Sequence, residues 1–488
     1  MREWPLSKTI QLIDVTLRDG HQSLWATRMT TGMMSSIVPK LDEAGFEAID
    51  LVGGAVFDVC VRYLRENPWE RMKIVSSWVN RTPLIVHTRG QSLFTFEFFA
   101  DDLVELAATC FSRNGMRYHT PYDALNDIRN LEIPVHAGKK NGLTVVPGLV
   151  FTESPVHDDD YYAKKASELL ALGVDGIFIK DPSGLLRPER VKGLVAAIKS
   201  KIGDTRLQLH SHCLSGLAPY VALLAADAGV DVIHVAAEPL ANGASHPSTQ
   251  WMIRNLISRG YSVPVELEPV ESASELIEFI AKKEGKPLGE IQHYDDFHFH
   301  HQVPGGMISN LKYQLSTMGL ENRISDILRE AGHVRKDLGY PIVVSPFAQY
   351  IVTQAALNVM AVDNGEERYS AVPDEVRLYV TGGYGEIAGE IDPDLYDRIS
   401  RGAEPKSARP GQYLEAAIPL LMKNCGPFES DEDLLLAAFY NEEIRTMLNS
   451  NGPINTDYPI MNTPLKTLLK EVTNRTSIKS FQIHTGSL

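Results

Sequence analysis

The chain has 488 residues, of which 44% are hydrophobic and 22% charged, a composition typical of a soluble globular protein with a large core. Its net charge of −15 argues against a nucleic-acid partner, because phosphate backbones are bound by basic surfaces. No apolar run is long enough to span a bilayer, and the first residues lack the apolar core of a signal peptide. The four cysteines are scattered and form no Cys-x-x-Cys pair, so we expect a cytoplasmic protein.

A repeated joint organises the first 240 residues: an amphipathic segment ends at a glycine, and a short apolar run follows. A glycine at this position ends a helix, since it adopts positive φ at no steric cost. The apolar run after it is typical of a strand that is buried on both faces. The joint glycines are Gly45, Gly115, Gly142, Gly173 and Gly229. Together with three further apolar runs they predict eight strands, over residues 10–15, 48–52, 83–87, 116–118, 143–146, 174–180, 207–212 and 230–236.

Eight βα units in about 240 residues predict an α/β fold, a closed (β/α)8 barrel of the TIM type. A doubly wound open sheet is the alternative, but no strand is followed by a Gly-x-Gly-x-x-Gly motif. Beyond residue 250 the pattern turns helical, with helices predicted over 272–283, 307–318, 322–329, 346–360 and 431–448. We therefore expect a barrel over 1–300 with a helical extension beginning near 265, a helical C-terminal domain over 301–474, and a tail over 475–488.

Polar residues follow nearly every predicted strand, at the end of the barrel where TIM-barrel active sites lie. His210 and His212 close one apolar run, and strand alternation turns residues i and i+2 to the same face. With Asp19, which follows the first strand, they form a ligand set for a divalent transition metal such as Zn²⁺, Mn²⁺ or Co²⁺. Such an ion polarises a carbonyl group. The alternative is a strand end with two hydrogen-bonded histidines.

Three basic residues complete this rim. Arg18 is placed to hold developing oxyanion charge, and Arg89 to bind a carboxylate through two parallel hydrogen bonds. Lys180 ends a buried strand, where desolvation favours its neutral, nucleophilic form. It could then form a Schiff base, or add CO₂ to become a carbamate that completes the metal site. The alternative is a salt bridge with Asp181 or Asp19.

With these residues in place, the chain resembles the carboxyltransferase component of biotin-dependent enzymes. That family includes pyruvate carboxylase, the α subunit of oxaloacetate decarboxylase and the pyruvate-binding subunit of transcarboxylase. The motifs that carry the resemblance extend over most of the chain. They are Asp14-Val-Thr-Leu-Arg-Asp-Gly-His-Gln-Ser23, Gly53-Gly-Ala-Val-Phe-Asp58, Asn67-Pro-Trp-Glu-Arg71, Arg89-Gly-Gln91, Asp123-Ala-Leu-Asn126, Lys180-Asp181, His210-Ser-His212, Gln302-Val-Pro-Gly-Gly-Met307, Val334-Arg-Lys336 and Asp431-Glu-Asp433.

The resemblance implies a transfer of CO₂ between carboxybiotin and a small acceptor, a 2-oxo acid such as pyruvate, whose product is oxaloacetate. It implies metal ligation by Asp19, His210, His212 and a carbamylated Lys180. It places Arg89, with Gly54 and Asp123, at the substrate, and Arg18 and Gln22 at the reacting oxygen and the carboxybiotin. The sequence has no Ala-Met-Lys-Met biotinylation motif, so a separate biotin carrier protein and a biotin carboxylase subunit are expected partners, in a homodimer or larger complex.

Three departures from the family pattern leave the acceptor open. Where pyruvate carboxylases carry a proton-shuttling threonine, this chain has Ala244, so Ser245 or His246 is the candidate shuttle. Phe96 replaces a family tyrosine, and Val52 replaces a tryptophan. Two other functions therefore stay open: a metal-dependent acyl-CoA lyase or condensing synthase on the same barrel, and a non-catalytic subunit that docks the biotin carrier.

Two further features are interpreted as structural. The histidines within 293–301 lie where barrel and helical extension meet, so hydrogen bonding between these parts is expected rather than a second metal site. Cys213 points away from His212 by strand alternation, which predicts a buried structural cysteine.

Overall fold

The computed structural model describes residues 8–304 and 321–459. Parallel strands form one sheet in the order β5-β4-β3-β2-β1-β9-β8-β7-β6. The strands are β1 Gln11–Asp14, β2 Ala48–Val52, β3 Leu84–Thr88, β4 Met116–Pro121, β5 Thr144–Val145, β6 Gly148–Val150, β7 Gly176–Asp181, β8 Arg206–Ser211 and β9 Val232–Val235. Every predicted strand is present, within a few residues at each end.

The fifth predicted strand, over 143–146, corresponds to β5 alone, and β6 is an additional strand without a predicted counterpart. β5 pairs with β4 and β6 pairs with β7, and the two segments are separated by Val146 and Pro147. Proline has no N–H to donate to a ladder, which accounts for a break at this point. The Asn126 side chain bridges the gap, since its amide donates to the carbonyl of Val150 and its oxygen accepts from the Val150 N–H. The prediction of a (β/α)8 TIM-type barrel is confirmed.

Helices surround the barrel and alternate with its strands, and all five joint glycines have positive φ, from 73° at Gly142 to 122° at Gly229. The α-helices of this part are His21–Leu24, Thr31–Met34, Val38–Glu43, Gly54–Val59, Pro68–Ser76, Asp101–Arg113, Glu132–Lys140, Asp159–Ala171, Pro188–Ile202, Ala218–Ala228, Thr249–Ser258 and Leu267–Glu284. Within the described ranges, no helix combines the length and the apolar character needed to cross a membrane.

The chain beyond the barrel is helical, as predicted. Its described α-helices are Phe297–His301, Ile324–Asp337, Phe347–Asp363, Asp374–Val380, Pro393–Ser400, Ala417–Cys425, Asp431–Phe439 and Glu442–Asn449. The single helix predicted over 431–448 is wrong, because Tyr440 is extended and the Asn441 side chain caps a new helix by accepting from the Ile444 N–H. Four of these helices lack a predicted counterpart, at 297–301, 374–380, 393–400 and 417–425. The helix predicted over 307–318 and the tail over 475–488 lie outside the described residues, and the domain boundaries stay predictions.

Three of the family motifs bind the helical part to the barrel. Gln302 and Arg335 both bind the loop after β6: Gln302 accepts from the Thr152 hydroxyl, and Arg335 donates to that hydroxyl and to the Glu153 carbonyl. Farther along, Glu432 forms an ion pair with Arg113 at 2.7 Å, on the helix that precedes β4. The contacts of Gln302 and Arg335 set the helical part against the carboxyl ends of the strands, where the candidate site lies.

Candidate active site

A cavity of about 300 Å³ opens at the carboxyl ends of the strands. The structure brings together there most of the site residues predicted from sequence, on five different strand ends. The helical part closes one side of the cavity with Pro304, Val344 and Ser345. The other lining residues are Arg18, Asp19, Gln22, Ser23, Gly53, Gly54, Ala55, His87, Arg89, Tyr122, Lys180, Pro182, His212, Leu214 and Ala244.

Asp19 is the centre of a buried group of possible metal ligands. Its Oδ2 lies 3.2 Å from Nε2 of His210 and 3.3 Å from Nε2 of His212. The group has a fourth member, His246, whose Nε2 is 3.2 Å from Nε2 of His210 and 3.9 Å from Asp19. Thr16–Gly20 forms a π-helical turn that directs Asp19 into the barrel. The sequence had suggested His246 only as a proton shuttle, and its place beside Asp19 depends on the loop after β9.

Hydrogen bonds at the far ring nitrogens fix how the two predicted histidine ligands face Asp19. Nδ1 of His212 donates to the carbonyl of Ala244 at 2.7 Å. His234 lies 3.0 Å from the Gln208 side-chain oxygen and so donates to it, which leaves the other nitrogen of His234 to accept from Nδ1 of His210. Both Nε2 atoms therefore turn lone pairs toward a carboxylate. Two imidazole lone pairs and a carboxylate within about 3 Å repel one another unless a cation lies among them, and metal sites hold histidines in this way.

Charge around Asp19 keeps it ionised. Burial would raise the pKa of Asp19, but the charge of the Arg18 guanidinium holds it well below its usual value. Burial, and after it the charge of Lys180, holds the pKa of His210 well below its usual value. An ionised carboxylate beside a neutral imidazole is the protonation state that a divalent metal requires of such ligands.

Arg18 is held by two carboxylates. It forms ion pairs with Asp19 at 2.7 Å and with Asp50 at 2.6 Å, and all three side chains are buried. Gly53 makes room for it, since a Cβ there would lie 2.9 Å from Cδ of Arg18. Asp50 was not predicted as a site residue, although an acid inside the apolar run of β2 was a possible signal.

Lys180 is buried and has no ion pair among the described residues. Its Nζ lies 3.5 Å from Nε2 of His210 and 4.9 Å from the centre of the Tyr122 ring. The predicted alternative of a salt bridge with Asp181 is wrong, because that carboxylate instead accepts from two backbone N–H groups and from the Ser211 hydroxyl. Burial, followed by the charge of Arg18, lowers the pKa of Lys180 to about 7, so its neutral form is well populated near neutral pH.

Arg89 faces the opening of the cavity. Its guanidinium donates to the carbonyl of Phe94 at 2.8 Å and stacks on the ring of Phe96, 4.5 Å from the ring centre. Gly54 packs directly on this guanidinium, and any Cβ at that position would overlap it. The absence of a side chain at Gly54 therefore leaves room for the Arg89 guanidinium. Arg89 is the group that would bind a carboxylate in this cavity.

Two predicted residues lie elsewhere. Ser245 is fully buried and outside the cavity lining, where Ala244 lies instead, so its placement gives no support to a catalytic role. Asp123 caps a turn by accepting from the N–H groups of Leu125 and Asp127, and it borders a smaller neighbouring cavity that shares Arg89. Burial and the nearby charge of Asp127 raise the pKa of Asp123 to about 7.

Among the residues that were interpreted as structural, His298 and His301 bind backbone groups. His298 donates to the carbonyl of Ser183, and Nδ1 of His301 accepts from the N–H of Val303. His293 and His300 are exposed. Cys213 is buried, and burial raises the pKa of its thiol well above its usual value.

With this geometry in place, the chain can be compared with known proteins. Residues 299–486 match the family model described as a conserved carboxylase domain. A pyruvate carboxylase subunit of Methanocaldococcus jannaschii is 38% identical over 436 residues, covering 88% of this chain and 76% of that protein. The 2-oxoglutarate carboxylase large subunit of Hydrogenobacter thermophilus is 34% identical over 400 residues, covering 82% and 61%. The carboxyl transferase domain of Rhizobium etli pyruvate carboxylase, solved with pyruvate, has a TM-score of 0.82 at 25% identity and covers 91% of this chain and 77% of its own.

Proposed function

The chain belongs to the family of biotin-dependent carboxyltransferases, and we propose that it moves CO₂ between carboxybiotin and a small 2-oxo acid, with pyruvate and oxaloacetate as the reacting pair. The observation that carries this proposal is the convergence of Asp19, His210, His212 and Lys180 in the cavity that also contains Arg89. The relatives are named as carboxylases, which gives no support to a lyase or condensing synthase on the same barrel.

A divalent metal such as Zn²⁺, Mn²⁺ or Co²⁺ fits this group of residues. Asp19, His210 and His212 would hold it, because their lone pairs converge and their far nitrogens are already hydrogen-bonded. Lys180 would complete the set after adding CO₂ to become a carbamate. In that addition the Nζ lone pair forms the N–C bond, one C–O π bond opens onto an oxygen, and the amine proton leaves. When bound, such an ion stabilises negative charge on the oxygen of a 2-oxo group.

The remaining residues orient the acceptor. Arg89 would bind its carboxylate through two parallel N–H donors, at the place that Gly54 keeps open. Arg18 is held rigidly by Asp19 and Asp50 and presents its remaining N–H groups to the cavity, where enolate charge would develop. Gln22 borders the same opening and would face the biotin ring. Because Ala244 has no hydroxyl and Ser245 lies outside the cavity, the acceptor's proton would pass to biotin without help from either side chain.

We propose that biotin arrives on a separate carrier protein, charged by a biotin carboxylase subunit. The Methanocaldococcus jannaschii relative is named as one subunit of a pyruvate carboxylase, which supports a division of the reaction among several chains. A homodimeric or larger assembly in the cytoplasm is part of the same proposal.

The test is decarboxylation of oxaloacetate by the purified chain with and without free biotin, beside Lys180→Ala. We expect turnover that increases with biotin and falls at least about 100-fold in the variant, since Lys180 would supply a metal ligand. Lys192→Ala is the matched control, because Lys192 is exposed on the helix Pro188–Ile202 and does not line the cavity.

Turnover that ignores biotin, or that survives in Lys180→Ala, would contradict the proposal. A metal-loaded chain that does not act on oxaloacetate would point to another acceptor, and 2-oxoglutarate is the one to try next, from the name of a second relative.

A further inference from the structure

His87 is a buried polar group in the cavity that the proposed reaction does not use. It lies at the end of β3, two residues before Arg89, so strand alternation turns both side chains into the barrel. Its ring lines the cavity, yet its Nε2 has no hydrogen-bond partner within the described residues. A buried imidazole nitrogen without a partner is rare in folded proteins, because the desolvation of that nitrogen is not compensated.

The other nitrogen of His87 indicates where the proton resides. Nδ1 lies 2.8 Å from the hydroxyl oxygen of Thr120. That hydroxyl has one other acceptor, the Val86 carbonyl at 3.5 Å, which is too long for a good O–H···O bond. A hydroxyl hydrogen directed at Nδ1 makes the shorter bond, and in that tautomer the single proton of a neutral imidazole is on Nε2. In that tautomer His87 presents an unpaired donor to the interior of the site.

Lys180 shares the immediate surroundings of this donor. Its Nζ lies 4.9 Å from the centre of the Tyr122 ring and 6.0 Å from that of Phe178. The centre of the His87 ring lies 5.0 Å and 5.9 Å from the same two rings. The pKa of His87 is well below its usual value; burial is the largest cause, and the charge of Lys180 is the second largest. Lys180 and His87 therefore border the same two aromatic rings.

We propose that Nε2–H of His87 donates a hydrogen bond to an oxygen of the carbamate formed on Lys180. This inference rests on the proposed function, which makes Lys180 a carbamate. One carbamate oxygen would face the metal, and the second oxygen requires a donor in a place that water does not readily reach. The lysine offers no donor of its own to that oxygen, while His87 has an N–H without a partner. His87 is thus a positioning residue that favours the carbamate over the free amine.

The test measures the carbamate itself. The full-length chain with Zn²⁺ is titrated with ¹³C-labelled bicarbonate at fixed pH, and the carbamate ¹³C signal that is absent from Lys180→Ala is integrated. In His87→Leu the bicarbonate concentration at half-maximal signal should increase about 10- to 100-fold, the expected effect of losing one hydrogen bond to a charged group. His87→Gln retains an N–H donor and should stay within about fivefold of wild type.

His119→Leu is the matched control. His119 is likewise buried and bonded to a threonine hydroxyl, Thr88, but it does not line the cavity. The bicarbonate titration of His119→Leu should match that of wild type. The control thus distinguishes loss of the His87 donor from a general destabilisation of the barrel.

Equal half-maximal concentrations in wild type and His87→Leu would overturn this inference while the proposed function stands. A changed KM for the acceptor with an unchanged carbamate titration would also overturn it, by making His87 a substrate contact. Absence of the carbamate signal from the wild-type chain would remove the proposed role of Lys180 together with this one.

Discussion

The histidines around Asp19 and the histidines between the barrel and the helical part use the same side chain in different ways. His210, His212 and His246 lie within one group in which every ligand atom is within 4.8 Å of the others. His298 and His301 have rings 5.3 Å apart, but each binds a backbone group, the Ser183 carbonyl or the Val303 N–H. Proximity of imidazoles is common to both groups.

The difference lies in what fixes the lone pairs. At the strand ends a carboxylate lies at the centre, and outer hydrogen bonds leave the lone pairs pointing inward. Between the two parts of the chain one nitrogen of His298 and one of His301 bind the backbone, and neither ring belongs to a group of possible metal ligands within the described residues. The His298 bond joins the helix Phe297–His301 to the loop after β7. Whether a group of histidines can bind a metal therefore depends on the hydrogen-bond partners of their outer ring nitrogens and on a nearby carboxylate, more than on the number of histidines.

The largest expected effect comes from removing the charge of Asp19, which distinguishes this group from the histidines between the barrel and the helical part. Asp19→Asn keeps the size of the side chain but removes the negative charge that the histidine lone pairs face. We expect loss of bound metal and a fall in kcat of about 1,000-fold or more. Metal content by mass spectrometry and oxaloacetate turnover measure the two effects. Asp160→Asn, at an exposed position on the helix Asp159–Ala171, is the control. A variant that keeps its metal would show that Asp19 is not a ligand.

A smaller effect should come from the glycine beneath Arg89. Gly54→Ala fits the local helix, but its methyl group would displace the guanidinium. We expect KM for the 2-oxo acid to increase about 10- to 100-fold with metal content unchanged, since small misplacements of a substrate-binding group have effects of this size. Gly332→Ala, on the helix Ile324–Asp337 away from the cavity, should leave KM unaltered. Unchanged KM in Gly54→Ala would mean that the carboxylate does not bind at Arg89.

The sequence predicts well where one local rule decides the structure. Alternation placed His210 and His212 on one face, and the joint glycines located the strands because helix ends require positive φ. Asp50 and Tyr122 were not predicted as neighbours of the site, and His246 was predicted only as a proton shuttle and not beside Asp19. Their positions depend on how strands and loops from distant parts of the chain meet. The helix break at Tyr440 was also missed, since the apolar pattern runs across it.

A substitution among the histidines between the barrel and the helical part should lower the stability of the protein and leave its metal content unchanged. His298→Ala removes a buried ring and leaves the Ser183 carbonyl without its donor. We expect a loss of about 2 kcal/mol in the free energy of unfolding with unchanged metal content. Denaturant unfolding measures the stability, and His300→Ala is the control because that neighbour is exposed. Loss of metal in His298→Ala would mean that the two groups are not independent.

The smallest expected effect is a pH dependence that belongs to His301. Burial, followed by the charge of His298, lowers the pKa of His301 from 6.5 to about 4. Because the folded chain favours the neutral form, this stabilisation is fully present above the unfolded pKa and is lost as pH falls from about 6.5 toward 4. Between pH 7 and 5.5 the loss due to this group should be about 1 kcal/mol, so His301→Gln, which cannot take up the proton, should lose about 1 kcal/mol less than wild type. Urea midpoints at both pH values measure it. An equal loss in His301→Gln would assign the acid sensitivity to other groups, and a loss in wild type that depends on added metal would assign it to the histidines around Asp19.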